Sequence, residues 1–267
     1  MSDENDPLTV EGLRAALARS QQQVADLAAA QEEFLRAVSH DLRAPLRHVT
    51  SYGTLVREVL GDLPAEVLQG PEVQEALGFL ATMDQSARRM GQMLDGLLAL
   101  VRAARAPLRT ESVSLVGAVT EARAALAPAE VGRSIDWQVS VDLPVLQADP
   151  MWLRELLVQL LGNAVKFTRN VAQPRVAVWP DAAPDGAVAF VVQDNGAGFD
   201  AARAGALFGV FQRLHRETEF EGVGAGLALC RTIAERHGGT VTATAAPGAG
   251  CRVRVQWPAG AAPTPQA

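Results

Sequence analysis

Ala37-Val38-Ser39-His40-Asp41-Leu42-Arg43-Ala44-Pro45-Leu46 lies inside the longest apolar repeat of the chain. Val38, Leu42 and Leu46 recur in steps of four, the spacing of one helix face. At about 100° per residue, His40 points about 200° away from both Val38 and Leu42, so its imidazole is expected to face solvent. Arg36, Ala37, Arg43 and Ala44 are its neighbours one turn away. The alanines leave space for another protein surface, and the arginines favour an incoming phosphate. Asp41 can hold the imidazole in one tautomer or take its proton. Pro45 removes a backbone donor and is expected to kink the helix. His48 has no such surroundings and reads as structural or surface.

The repeat runs in both directions from this stretch. Upstream, Leu13, Leu17, Val24, Leu27, Phe34 and Val38 alternate steps of three and four, with Ser20 and Gln31 filling two core slots. This is a short coiled coil weakened by polar positions, and it calls for a parallel partner, hence a homodimer. An ordinary amphipathic helix packed on its own domain is the other reading. Downstream, Val49, Gly53, Val56 and Leu60 continue to Gly61-Asp62 and Pro64. After Gly70-Pro71 a second helix carries Val73, Leu77, Leu80, Ala87, Leu94, Leu98 and Val101 until Pro107 stops it. Two such helices make an antiparallel hairpin, and two hairpins pair into a four-helix bundle.

Beyond Pro107 the texture changes to short β-rich runs between helices. Strands are expected over 134–141, 175–179, 187–193, 240–244 and 251–257, and helices near 115–126, 151–168 and 226–237. The expected architecture is therefore multi-domain, α then α+β: a hairpin followed by an α/β sandwich with one mostly antiparallel sheet. The expected divisions are a coiled-coil helix over 1–33, the hairpin over 34–108, the sandwich over 109–258 and a disordered tail over 259–267. Residues 1–9 are expected to fray.

Composition narrows the function. The chain has 267 residues and a net charge of −6, not the basic balance of a nucleic-acid binder. Cys230 and Cys251 stand far apart without metal-site spacing, and no export signal is evident. The apolar runs fall short of the roughly 18 residues of a membrane helix, so no membrane insertion and a cytoplasmic location are expected. Lys166 is the only lysine among 24 Lys and Arg residues.

Asp149-Pro150 opens a helix, with Asp as N-cap and Pro at the first position. Leu153, Leu156, Leu157, Leu160, Leu161, Ala164 and Val165 form its apolar stripe. Glu155, Gln159, Asn163 and Lys166 form a polar line on it, which offers an amide oxygen suited to Mg²⁺ and a cation suited to a triphosphate. Such a line is also the ordinary wet face of an amphipathic helix. Asp194-Asn195-Gly196-Ala197-Gly198-Phe199 follows an apolar strand. Asp194 can accept from an adenine amino group, and Gly196 and Gly198 allow close approach to a ring. Gly222-Val-Gly224-Ala-Gly226-Leu227 feeds the last helix and presents free N–H groups to phosphates. Between them, Leu207-Phe208-Gly209-Val210-Phe211-Gln212-Arg213-Leu214-His215-Arg216 resembles the F box and the start of the mobile ATP lid of histidine kinases, with Phe208 and Phe211 at its base. His237-Gly238-Gly239 reads as a helix C-cap.

Ser39-His40-Asp41-Leu42-Arg43-Ala44-Pro45-Leu46 resembles the H box of histidine kinases. Gln159 to Thr168 resembles their N box, and the two glycine clusters with the intervening Phe residues resemble their G and F boxes in the same chain order. The Phe211-Gln-Arg-Leu-His215 and Phe220-Glu-Gly222 runs look most like kinases associated with bacterial phytochromes. The resemblance implies a gyrase-type ATP fold and ATP with Mg²⁺ as cofactors. It implies His40 as phospho-acceptor with Asp41 beside it, and Asn163 as the Mg²⁺ ligand. It further implies nucleotide contacts from Lys166, Asp194, Gly196, Gly198, Phe199, Arg213, Gly222, Gly224, Gly226 and Leu227. The implied partners are a second copy of the chain and a response-regulator receiver domain. No stretch reads as a sensor, so the signal is expected from elsewhere, such as a phytochrome. Gln159 and Ala225 depart from the usual boxes. Ala44 stands where phosphatase-competent members carry Thr or Asn, which puts phosphatase activity in doubt. Two rival readings remain: a scaffold that binds nucleotide as a switch, and an ATPase that hydrolyses ATP outright.

Overall fold

The computed structural model describes residues 10–184, 186–216 and 218–258; the expected frayed start and disordered tail lie outside them. The chain divides into two compact units, 1–98 and 99–267.

In the first unit, helix α1 (Val10–Gly61) runs unbroken for 52 residues, through Pro45. The segments expected as a separate coiled coil and hairpin arm are thus one helix. One missing N–H removes one bond of a long ladder, which its neighbours carry. Asp62 N and Leu63 N close the end onto Glu58 O and Leu60 O. A short helix α2 (Ala65–Leu68), not expected from the sequence, occupies the connection. Pro71 then starts α3 (Pro71–Arg105) at the position where a missing N–H costs nothing. Arg43 Nη2 donates to Asp95 Oδ1 at 2.6 Å across the hairpin. Small residues face inward, with Ser39, Gly53 and Ala87 buried. The large apolar side chains of the repeat stay open: Leu13, Leu17, Val24, Leu27 and Phe34 are each about 60–70% exposed.

The second unit begins with the last turns of α3. Its small sheet pairs β1 (Glu111–Ser114) antiparallel with β3 (Val145–Ala148), two strands absent from the sequence reading. The main sheet has the order β2 (Asp136–Val139), β4 (Arg175–Asp181), β5 (Val188–Asp194), β7 (Cys251–Trp257), β6 (Thr240–Ala245). Among the described residues only the β2–β4 pair is parallel. Helices α4 (Leu115–Leu126), α5 (Pro150–Phe167) and α6 (Gly226–Arg236) supply the other layer. Leu153, Leu156, Leu157 and Leu161 of α5 have no exposed surface and pack in one core with Val176, Phe190, Val255 and Trp257. Truncating any of these leucines to Ala costs about 2–5 kcal/mol.

Asp149 caps α5 as expected: Oδ1 accepts from Met151 N and Trp152 N, and Oδ2 from Arg109 N. Its own N–H donates to His237 Nε2 at 3.1 Å. His237 Nδ1 lies 2.8 Å from the Ile233 carbonyl, and the ring stacks on Trp257 at 4.6 Å. His237 is thus more than a C-cap: accepting at Nε2 fixes the proton on Nδ1 and ties the start of α5 to the end of α6. Burial, the largest influence, pushes its pKa below 6.5. The folded chain therefore binds fewer protons than the unfolded one below that pH, and folding weakens on acidification. Thermal melts between pH 7 and 5.5 are expected to show a steeper loss for the wild type than for His237→Gln.

Candidate functional site

On α1 the imidazole of His40 is 84% exposed, as its helical phase requires. Its Nδ1 lies 3.2 Å from Asp41 Oδ1. With the proton on Nδ1, that nitrogen donates to the carboxylate and Nε2 keeps its lone pair toward solvent. Of the flanking cations, Arg43 is engaged by Asp95. Ala44 offers no group that orients water.

In the second unit, α5 presents its polar line to the glycine loop. Gln159 donates to Glu155 Oε1 at 2.8 Å, and a Cβ at Gly226 would lie 2.4 Å from Gln159 Oε1. Two turns on, Lys166 Nζ lies 4.5 Å over the Phe167 ring and 3.5 Å from a Cβ built on Gly222. Asn163 sits between these two contacts on the same face, half-buried, and its amide makes no hydrogen bond among the described residues. Burial, above all, lowers the Lys166 pKa; Glu221 opposes this and Arg213 and Arg169 reinforce it.

The loop after β5 is stitched to the end of α5. Ala197 N donates to Phe167 O at 3.1 Å, and a Cβ at Gly196 would lie 2.5 Å from that same oxygen. At Gly198, with φ of 60°, a Cβ would meet Ala246 O at 2.0 Å. These glycines are required by the protein's own backbone. Phe199 is buried and anchors the loop. Asn195 braces it through Arg175 N and Gln173 O. Asp194 is only 7% exposed. Its Oδ1 accepts from Gly196 N at 2.8 Å and Cys251 N at 3.3 Å, and no bond to Oδ2 occurs among the described residues. Burial pushes the carboxyl up to about 6 against the pull of those two N–H groups. A carboxylate held by one oxygen at a buried site leaves the other to define a single outward direction of acceptance.

The lid differs from expectation. Phe211 and Phe208 are half-buried, but the tight aromatic contact is made by Phe220, Phe167 and His215, whose ring centroids are 5.0–5.2 Å apart. Phe211 has φ of 60° and its N–H donates to Gly224 O. Gly224 has φ of 77° and admits no Cβ, which would lie 2.4 Å from Gln212 O. Arg213, expected at phosphates, spends its guanidinium on Gly222 O and on Phe220 O, the latter at 2.6 Å. It latches the lid onto its own backbone. Helix α6 starts at Gly226 with no side-chain cap, so the N–H groups of its first turn, Leu227 among them, are available to an anion.

The sequence reading gives no site role to Arg169, Phe220, Glu221, Gly250 or Cys251. The Gly248-Ala-Gly250 run was the available signal for the last two: a Cβ at Gly250 would lie 1.9 Å from Asp194 O.

Residues 30–105 match the family described as His Kinase A (phospho-acceptor) domain. Residues 148–261 match the family described as histidine kinase-, DNA gyrase B- and HSP90-like ATPase. The chain is 29% identical over 219 residues to the phytochrome-like protein Cph1 of Synechocystis, covering 82% of the chain and 28% of that protein. It is 30% identical over 239 residues to the circadian input-output histidine kinase CikA of Synechococcus elongatus, covering 86% and 30%. It is 31% identical over 257 residues to the sensor protein KdpD of Escherichia coli, covering 96% and 27%. The chain thus spans less than a third of these relatives' own length. Full-length ShkA, solved with AMPPNP, superposes with a TM-score of 0.58 at 27% identity over 87% of this chain and 47% of that one.

Proposed function

Because the chain belongs to the sensor histidine kinases, with their phospho-acceptor and ATPase domains both present, we propose that it transfers the γ-phosphoryl group of ATP to His40. The observation that carries this reading is the exposed imidazole whose Nδ1 is taken by Asp41. The Nε2 lone pair attacks the γ-phosphorus as the bond to the bridging oxygen breaks. ADP leaves, and the proton stays on Nδ1 beside Asp41. Asp194 Oδ2 accepts from the adenine amino group, and Lys166 with the Gly222–Gly226 loop meets the phosphates. Catalysis is then mostly positioning and charge stabilisation. The uncommitted Asn163 amide fits a Mg²⁺ ligand, and bound Mg²⁺ would neutralise charge on the phosphates. The phosphoryl group passes next to an aspartate of a response-regulator receiver domain.

The uncovered stripe of Leu13, Leu17, Val24, Leu27 and Phe34 supports pairing of two copies, since each buried side chain adds about 1.5–3 kcal/mol. Among the described residues no helix is long and apolar enough to cross a membrane, and we place the protein in the cytoplasm. The likeness to Cph1 supports a phytochrome-class protein as the source of the signal. Incubation with [γ-³²P]ATP and Mg²⁺, followed by addition of receiver domains, tests the reading: label appears on the chain and then moves. A chain that releases phosphate steadily without becoming labelled is an ATPase instead. With Ala44 unable to orient water, a phosphorylated receiver is expected to lose phosphate no faster with the protein and ADP than alone.

A further inference from the structure

Arg169, beside the glycine loop, already holds an anion. Glu221 immediately precedes Gly222, and its Oε1 accepts from Arg169 Nη2. Lys166 Nζ lies 3.5 Å from the Cβ position of that same Gly222. The influences on the three groups agree: the bond to Arg169, ahead of the other causes, holds the Glu221 carboxyl below its usual range, and Lys166 adds to the effect. Lys166 in turn is stabilised in its charged form by Glu221. A triphosphate approaching Lys166 and the N-terminus of α6 therefore meets a carboxylate seated among its partners.

Resting on the nucleotide reading above, we propose that Glu221 is an internal anion that weakens nucleotide binding in proportion to phosphate charge, and so is a specificity-determining residue of the cleft. Without nucleotide it pairs with Arg169 and offsets part of the charge of Lys166. With ATP bound it repels the phosphates and shares Arg169 with them. Affinity is held down for ATP, less so for ADP, and not at all for adenosine, which carries no phosphate. An enzyme whose cleft is tuned this way keeps its Michaelis constant from falling far below working ATP concentrations. The pair is solvent-facing, with side chains 46% and 64% exposed, so the effect is modest and screened by salt.

Titration calorimetry of the full chain with ATP, ADP and adenosine, each with and without Mg²⁺, tests this. Glu221→Gln is expected to tighten ATP about five-fold, ADP by less, and adenosine not at all. The gain should shrink in 0.5 M salt, and Glu221→Lys should follow the same order with larger changes. A parallel shift for adenosine overturns the proposal, because Glu221 then shapes the lid. Weaker MgATP binding with Mg²⁺-free ATP unchanged also overturns it, because Glu221 then serves the metal. Unchanged affinities reject it outright. A wild type that takes up none of the three ligands sinks the nucleotide reading itself, and this proposal with it.

Discussion

His40→Gln is expected to leave no acid-labile, base-stable ³²P on the chain after incubation with [γ-³²P]ATP, a loss of at least three orders of magnitude in labelling. The expectation follows from chemistry and placement together. Phosphoryl transfer needs a nitrogen lone pair exposed to a second domain, and His40 supplies one on a ring that is 84% exposed. Gln has a similar length and good helix propensity, so α1 is undisturbed. Its amide nitrogen has no available lone pair and forms no phosphoramidate. ATP affinity should be unchanged, because every group proposed to contact nucleotide lies in the other unit. Label persisting in the variant would reject His40 as acceptor and direct attention to another side chain. Loss of label together with loss of ATP binding would show that the substitution had damaged more than the acceptor.

Asp194→Asn should separate binding from stability. The buried carboxyl titrates near 6 rather than 3.8, so keeping it ionised at neutral pH costs about 3 kcal/mol. Asn retains an oxygen for Gly196 N and Cys251 N and carries no charge. The free variant should melt several degrees above the wild type at pH 7.5. Wild-type stability falls as pH rises from about 3.8 to about 6, because the folded state binds the extra proton there. The variant lacks that decline. Its outward group is now an NH₂ donor facing the adenine amino donor, so ATP affinity should drop at least 100-fold. Wild-type affinity should fall as pH drops through about 6, where Oδ2 is lost as an acceptor. A variant that binds ATP normally would remove Asp194 from adenine recognition.

The sequence disclosed periodic features and missed those that depend on through-space pairing. The phase of His40 follows from Val38, Leu42 and Leu46 alone, and the Asp149 cap from one dipeptide. Helix α4 occupies the expected 115–126, where Ser114 accepts from Gly117 N as its cap. Strands β1 and β3 were invisible: four residues each, they are defined by pairing with each other across a helix and a strand, not by their own pattern. Arg213 is a nucleotide contact by the resemblance of its loop to an ATP lid. Nothing local reveals its bonds to the carbonyls of Phe220 and Gly222. Glu221 likewise looks like a solvated charge until Arg169, 52 residues away, is placed against it.

The unbroken run of α1 through Pro45 has a mechanical corollary. At about 1.5 Å per residue, the 52-residue helix is a shaft of about 78 Å. One residue inserted between Leu17 and His40 would turn everything on the N-terminal side by about 100° relative to the imidazole, whereas seven would bring it back to within about 20°. Any module joined to that end is therefore geared to His40 by angle, and spacing in multiples of seven preserves the gearing while other spacings shift it out of phase.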